Sequence, residues 1–378
     1  MNPFLSTFAS PIRNSSCPSY ALFKESSHQF CSRLVYFECF IVFRIMYRAI
    51  VQDGFNTEEP EATLKIIEKP IPEATLEHVV VHMKLRPINP TDMVAIRTGR
   101  FVRFAKHPLT PGSEGYGVVH SVGDDVKNFK VGDRVVPFMW EGLLYGGGGS
   151  WQEYVSVKEK MLTAVPASIS DEVAAQFVIN PWTVYGMLKD LAVPRGEYIL
   201  QTAAGSVLGR QVIQLAKHWG IKTINIVRRP EQKEELKLLG ADEVICSSTE
   251  DVITRVKEIT ERKLAYGSLD CVGGTLTKSV LASTRRGGQV FVYGVLAGDE
   301  AVVLINDLFR QVHVTGWILT NYWNVEERRK EFVEEVWKLL EANVLQPYTG
   351  EKFDLADFKE AMKKSEEVGR GGKVLLTS

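Results

Sequence analysis

The sequence predicts an α/β protein in which a small β-barrel is followed by a doubly wound parallel sheet. Three observations carry that prediction. The stretch Tyr198-Ile-Leu-Gln-Thr-Ala-Ala-Gly-Ser-Val-Leu-Gly209 reads as a strand, a tight turn of small residues and the start of a helix. Upstream of it, residues 46–170 hold short β-prone runs separated by glycine and aspartate turns, the pattern of a barrel. From residue 171 strand patterns alternate with helical ones, which is how a parallel sheet is wound.

Taken in order, residues 1–45 differ from the rest. They are rich in Ser, Phe and Cys, and their only acids are Glu25 and Glu38. A Ser-rich, acid-poor leader is compatible with an organelle transit peptide. Equally, Met46-Tyr-Arg-Ala-Ile-Val51 makes a natural beginning, and the upstream methionine would then be a start assigned too early. Over 46–170 the expected strands are 48–51, 64–67, 78–84, 117–122 and 134–137. Gly123-Asp124-Asp125 and Val131-Gly132-Asp133 supply turns between them.

In the second half the expected strands are 198–202, 223–227, 243–245, 268–272, 289–293 and 312–315. The expected helices are 206–219, 231–239, 251–262 and 276–284. In the first of these, Leu208, Val212, Leu215, Ala216 and Trp219 recur at helical spacing. Gly220 and Gly240 fall where helix C-caps are expected. A further amphipathic helix spans 326–342. The tail, ending Lys373-Val-Leu-Leu-Thr377, reads as a closing strand that rejoins the first domain. The expected division is a leader over 1–45, a barrel over 46–170, a nucleotide-binding sheet over 171–320 and a return over 321–378.

Composition narrows the function classes. The 378 residues are 45% hydrophobic and 24% charged, with a formal net charge of −1. That balance gives no electrostatic reason to expect nucleic acid or an anionic membrane surface as partner. No stretch approaches the about 20 uninterrupted apolar residues of a spanning helix. The cysteines are Cys17, Cys31, Cys39, Cys246 and Cys271, with no Cys-x-x-Cys pair. Neither a disulfide framework nor a structural zinc knuckle is expected, and a reducing compartment is the simple reading.

The turn after Tyr198 is the first chemistry-bearing element. Ala203, Ala204, Gly205, Ser206 and Gly209 let a ligand approach the backbone closely, and a helix N-terminus follows. Unpaired N–H groups there suit a pyrophosphate. The turn is not a clean Gly-x-Gly-x-x-Gly, but a strand precedes it, a helix follows and further β-α units come after. Dinucleotide-binding folds that prefer NAD carry an acid about 20 residues further on, to hold the ribose hydroxyls. Here the second strand ends Asn225-Ile-Val-Arg228-Arg229-Pro230, with arginines instead. Their charge and planar donors suit a 2′-phosphate, so NADPH is the expected cofactor.

Metal is not expected. The histidines are scattered; His78 and His82 share a strand-like run that sets them on one face at a distance, which reads as a surface or packing role. No Gly-x-Ser-x-Gly elbow occurs, so no α/β-hydrolase nucleophile is present.

The motifs Pro87-Ile-Asn-Pro-Thr-Asp92, Gly112-Ser-Glu-Gly115, Val131-Gly-Asp-Arg-Val135, Asn180-Pro-Trp-Thr-Val-Tyr185, Leu239-Gly-Ala-Asp242 and Cys271-Val-Gly-Gly274, with the phosphate turn, resemble the medium-chain dehydrogenase/reductase superfamily. Within it the chain is most similar to the zinc-independent 2-enoyl thioester reductases of mitochondrial type. Quinone oxidoreductase-like and alkenal reductase relatives share many of these motifs. The resemblance covers residues 46–378 and implies a GroES-like β-barrel catalytic domain beside a Rossmann-type sheet. Where zinc-dependent relatives carry a ligand cysteine this chain has Pro90, and where they carry Gly-His-Glu it has Gly112-Ser113-Glu114.

The resemblance also implies a cofactor site made of Asn180, of Gly205, Ser206, Val207 and Leu208, and of Arg228 and Arg229. To these it adds Tyr293, Gly294, Val295 and Leu296, then Trp317, Ile318, Leu319 and Thr320, and finally Lys373. One position departs from the family: its catalytic tyrosine corresponds to Phe101, which cannot donate a proton. Thr98, Tyr116 and Tyr145 are hydroxyls nearby in sequence.

The implied reaction is NADPH-dependent delivery of hydride to the β-carbon of an electron-poor C=C bond. The implied substrate is a small molecule: a 2-enoyl thioester or, alternatively, a quinone or alkenal. A third reading is a non-catalytic NADPH-binding protein. The resemblance further implies a homodimer, and a mitochondrial location with the cytoplasm as the alternative.

Overall fold

The computed structural model describes residues 45–378, excepting 101, 103–106, 140–147 and 324 and the side chain at 321. The expected leader therefore lies outside the described residues, save Ile45.

Alternating burial builds the first sheet. β1 (Met46–Gln52) and β2 (Leu64–Pro70) form an antiparallel ribbon. β3 (His78–Pro87) is the organising strand, with Val79, Val80, Val81 and Met83 fully buried. α1 (Pro90–Thr98) follows directly. A capping box starts it: the Asp92 carboxylate accepts the Asn89 backbone N–H at 2.8 Å, and Pro90 sits where no N–H is needed. Gly99, at φ 68°, ends it in the left-handed conformation.

β4 (Tyr116–Val122), β5 (Arg134–Pro137), β6 (Tyr154–Lys158) and β7 (Leu162–Ala164) complete the first half. β4 pairs with one edge of β3, and β6 pairs with residues 78–82 of β3. His82 stacks on Tyr154 at 4.5 Å between ring centroids, while His78 contacts the Thr75 carbonyl at 3.2 Å. His82 thus packs against its neighbour strand and His78 sits at the surface.

α2 (Asp171–Ala175), capped by the Ser170 hydroxyl, leads into α3 (Ile179–Leu191). Periodicity did not forecast α3. Residues 179–188 are all buried, so the helix is enclosed on every side and has no polar stripe to reveal its period.

The second sheet then winds through β8 (Tyr198–Gln201), α4 (Val207–Trp219), β9 (Lys222–Val227), α5 (Gln232–Leu239), β10 (Glu243–Cys246), α6 (Val252–Ile259), β11 (Ala265–Asp270), α7 (Leu276–Ala282), β12 (Thr284–Val292), α8 (Ile305–Phe309) and β13 (His313–Gly316). The spatial order is β10-β9-β8-β11-β12-β13. Every pairing is parallel. The winding reverses between β8 and β11, and ligands of such sheets bind in the crevice at that reversal.

α9 (Thr320–Trp323) and α10 (Glu326–Glu341) follow. α10 packs on α3 and on the link before it: Phe332 meets Trp182 at 5.5 Å between ring centroids, and Trp337 stacks on Phe177 at 3.6 Å. The chain rejoins the first sheet only at β14 (Thr349–Asp354). α11 (Phe358–Glu366) then leads to β15 (Lys373–Thr377), which pairs with β14 on one side and with the end of β3 on the other. The closing strand expected from the sequence at 373–377 is therefore present. One apolar cluster runs from Leu85 and Tyr116 through Trp182 to Ile199 and Leu215, so the two sheets share a core.

Candidate active site

Two adjoining cavities, of about 450 and about 600 Å³, open at the reversal of the second sheet. Their shared wall contains Pro90 and Val94 of α1, Ser206 and Val207 at the start of α4, Val295, Leu296 and Arg370. The barrel side and the parallel sheet thus face each other across one continuous cleft.

The turn at its centre is shaped by local geometry. Ala203 adopts φ 46°, and the Ser206 N–H donates to the Ala203 carbonyl at 2.9 Å. The Ser206 hydroxyl then accepts the Gly209 N–H at 3.0 Å, capping α4. A Cβ on Gly209 would lie 2.7 Å from the Ala204 backbone, so only glycine lets helix and strand approach this closely. The buried Gln201 amide donates to the Gly209 carbonyl at 2.9 Å and pins the helix to β8. At the end of β11, buried Asp270 accepts the hydroxyls of Thr202 at 2.9 Å and Thr277 at 2.7 Å, and the Val272 N–H at 2.9 Å. The floor of the crevice is therefore rigid.

The smaller cavity is walled by apolar side chains, with a few polar groups converging on it. Asn180 and Thr183 come from α3, Thr91 from α1, Arg100 from beyond it, and Lys373 from the start of β15. Cys271 lies between β11 and β12 in the same wall, and burial pushes its thiol up to about 11. The Tyr293 hydroxyl is buried, with the Cys271 thiol as its polar neighbour. Burial, with Cys271 beside it, holds that phenol protonated well above the ordinary tyrosine range.

Behind Lys373 lies a buried charge cluster. The Glu114 carboxylate accepts the Ile179 N–H at 2.8 Å, the Val178 N–H at 3.0 Å and the Asn89 side-chain amide at 2.9 Å. Burial raises Glu114 to about 7, against the pull of those hydrogen bonds. Burial likewise raises Asp92 to about 6. The same desolvation lowers Lys373 to about 8, with the Glu114 charge drawing it back up.

The structure brings most of the sequence-predicted site residues to this cleft. Asn180, Ser206, Val207, Leu208, Tyr293, Gly294, Val295, Leu296, Trp317, Ile318, Leu319 and Lys373 line the smaller cavity, and Gly205 and Arg229 line the larger. Arg228 and Thr320 line neither. Arg228 points to solvent at the end of β9. Trp317 turns its indole N–H to Asp190 at 2.8 Å, beneath the wall. Phe101 and Tyr145 lie outside the described residues. Neither Tyr116 nor Thr98 reaches a cavity: the Tyr116 hydroxyl accepts from Arg134 at 3.1 Å, and the Thr98 hydroxyl donates to the Val94 carbonyl at 2.8 Å.

Sequence reasoning missed Thr91, Thr183, Arg100, Gln232 and Arg370. Thr91 and Thr183 sit within the motifs at 87–92 and 180–185, whereas motif spacing carries no signal for Arg100, Gln232 and Arg370. Among the described residues no group of three or more His, Cys, Asp or Glu side chains could hold a metal ion. The described residues of the cleft thus offer no donor set that fits a zinc site.

A dinucleotide-type turn facing an apolar cavity walled by a β-barrel defines a nucleotide-dependent oxidoreductase. Residues 76–167 match the alcohol dehydrogenase GroES-like domain and residues 207–342 the zinc-binding dehydrogenase family. The chain belongs to the medium-chain dehydrogenase/reductase family, which bears out both the resemblance read from its motifs and the expected fold class. Its relatives include the mitochondrial enoyl-[acyl-carrier-protein] reductase of Caenorhabditis elegans, 34% identical over 302 residues that cover 76% of this chain and 83% of that protein. Among solved structures, a Bacillus thuringiensis protein provisionally designated an NADPH:quinone reductase is similar at a TM-score of 0.81 and 31% identity, covering 88% of this chain and 99% of that one. The Escherichia coli quinone oxidoreductase complexed with NADPH is similar at a TM-score of 0.78 and 27% identity, covering 88% of this chain and 100% of that one.

Proposed function

We propose that this protein is an NADPH-dependent reductase of activated C=C bonds, acting on a 2-enoyl thioester. The observation that carries the reading is the position of the Ser206–Val207 helix start, at the junction of two cavities, one of them lined by Arg229. The small-residue turn, the capped helix and the apolar cavity beside them fit a dinucleotide lying along the cleft. The larger cavity suits the adenosine end, with Arg229 on the 2′-phosphate. The smaller suits the nicotinamide, beside Asn180, Tyr293 and Lys373.

When bound, the cofactor supplies hydride; the protein's part is binding, orientation and charge. The apolar wall excludes water from the reacting carbons. Lys373, Asn180 and the hydroxyls of Thr91 and Thr183 are the polar groups available near a developing enolate oxygen. The thioester assignment rests on the enoyl reductase relatives. Reduction of a quinone or alkenal is the second reading, supported by the quinone oxidoreductases of similar fold. With phenylalanine at the family's tyrosine position, solvent can serve as proton source for such substrates. The enoyl reductase relatives also support a mitochondrial location; no described helix is long and apolar enough to cross a membrane.

We further propose a homodimer formed by a second copy of the chain. β13 lies at the edge of its sheet, and beside it Ile305, Leu308 and Phe309 are exposed. Continuing the sheet through a symmetric partner would satisfy that edge and cover those side chains.

NADPH oxidation followed with crotonyl-CoA, a quinone and an enal tests the substrate. Turnover of crotonyl-CoA is expected. Fast quinone turnover with no thioester turnover overturns the first reading in favour of the second. Cofactor binding without turnover of any activated alkene favours a non-catalytic protein.

A further inference from the structure

We propose that Arg370 holds the pyrophosphate of the dinucleotide from the side of the cleft opposite α4. The inference rests on the cofactor reading above and extends it to a residue that neither the sequence motifs nor the phosphate turn designates.

Arg370 is the charged residue that lines both cavities, where it shares the wall with Ser206 and Val207. Apart from Arg229, placed above on the 2′-phosphate, the other arginines lining the cleft are paired. Arg97 binds Glu366 through two hydrogen bonds of 2.6 and 2.8 Å, Arg100 binds Asp299 at 2.6 Å, and Arg210 binds Glu235 at 2.6 Å. Arg370 has no carboxylate partner among the described residues. Its Nε donates to the Gly372 carbonyl at 3.2 Å and its Nη1 to the Glu367 carbonyl at 3.5 Å, which leaves donors free to face the junction. The side chain is half-buried, and desolvation lowers its pKa. A desolvated cation of this kind has unmet demand for an anion.

Its loop is built to hold it there. Gly369 and Gly371 both adopt φ +79°, a conformation that glycine alone takes without strain, and they set Arg370 between α11 and β15. A pyrophosphate presents two charged groups. One side of it can meet the N–H groups at the start of α4, and the other the planar fork of a guanidinium. Arg370 enters from the segment that returns to the barrel sheet, and the turn belongs to the parallel sheet. A pyrophosphate held by both ties the two walls of the cleft together.

The test compares NADP+ with 2′-AMP, which lacks the pyrophosphate, on the wild-type protein, Arg370→Met and Arg370→Lys, with the melting temperature of each recorded. Arg370→Met is expected to weaken NADP+ binding by roughly 10- to 100-fold, the loss of a charge-assisted contact, while 2′-AMP binding changes by less than about 2-fold. Arg370→Lys should recover part of the affinity, because it keeps the charge but not the fork. Unchanged NADP+ affinity in a folded Arg370→Met or Arg370→Lys protein overturns the clamp. Equal losses for NADP+ and 2′-AMP also overturn it, and place Arg370 on the 2′-phosphate instead. If the wild-type protein binds neither NADP+ nor NADPH, the cofactor reading itself fails, a result distinct from the other two.

Discussion

The carboxylate of Glu114 accepts the backbone N–H of Ile179 at 2.8 Å, so a residue just before β4 caps the start of α3. The contact joins the barrel side to the wall that carries Asn180. Its second oxygen accepts from Asn89 at 2.9 Å, tying in the N-cap of α1 as well. A glutamine in its place would present an N–H₂ group to one set of these donors. Glu114→Gln is expected to cost about 2–4 kcal/mol of folding stability, the range for breaking a buried charge-assisted network. Chemical denaturation measures it, and a loss below about 0.5 kcal/mol, the level of an ordinary surface substitution, would contradict this role.

Cofactor affinity should depend on pH through Lys373. Burial lowers that lysine to about 8, and Glu114 partly restores it. The ammonium form, which attracts a phosphate-bearing ligand, is populated below that value and lost as pH rises through it. NADPH affinity is therefore expected to fall as pH rises through about 8. Glu114→Gln removes the restoring charge and should move the midpoint to lower pH, and Lys373→Met should flatten the profile. Fluorescence titrations across the pH range would show a pH-independent affinity if Lys373 is not involved.

Arg229 and Arg228 should behave differently although they are adjacent. Arg229 lines the larger cavity, and Arg228 is exposed outside it. Arg229→Gln is expected to raise the KM for NADPH by roughly 10-fold or more while leaving that for NADH nearly unchanged. Arg228→Gln should change either value by less than about 3-fold, as a solvated charge would. Steady-state kinetics with both cofactors decide; a larger effect at Arg228 would reverse the assignment.

Gly209→Ala tests the close approach of α4 to the turn. Its Cβ would meet the Ala204 Cα and carbonyl oxygen at 2.7 Å, backbone atoms that cannot swing aside. The substitution should cost about 1–3 kcal/mol, as overpacking does. It should also weaken NADPH binding by displacing the helix start. Thermal unfolding and cofactor titration of one preparation check both; a stable variant with normal affinity would mean the turn has slack.

At the edge of the parallel sheet, Phe309 is 76% exposed and Ile305 68%. Phe309→Glu with Ile305→Glu should shift the protein from dimer to monomer in sedimentation velocity with no loss of secondary structure. A wild-type protein already monomeric at micromolar concentration would end the dimer proposal.

The strand-turn-helix at Tyr198–Val207 was legible because its information is local: β-branched and aromatic residues, a run of small ones, then apolar positions at helical spacing. The alternation after it foretold the parallel sheet for the same reason. α3 stayed hidden because it is buried all round, and a helix without a polar face leaves no period in the sequence. The cavity residues Arg100, Gln232 and Arg370 stayed hidden because the cleft they line is assembled from segments far apart in the chain; Arg100, for one, pairs with Asp299.

The sequence by itself determined the small-residue turn, the arginine pair that stands in place of an acid and the alternation of strands and helices in the parallel sheet, all of which are encoded by neighbouring residues. Only the tertiary structure decided which arginine faces the cleft, since a strand end at 228–229 leaves both orientations open until the opposite wall is built. It also decided that Glu114, Asn89, Asp92 and Lys373 form one buried cluster. Low dielectric and mutual charge, properties of the assembled interior alone, set the protonation of Glu114, Asp92 and Lys373.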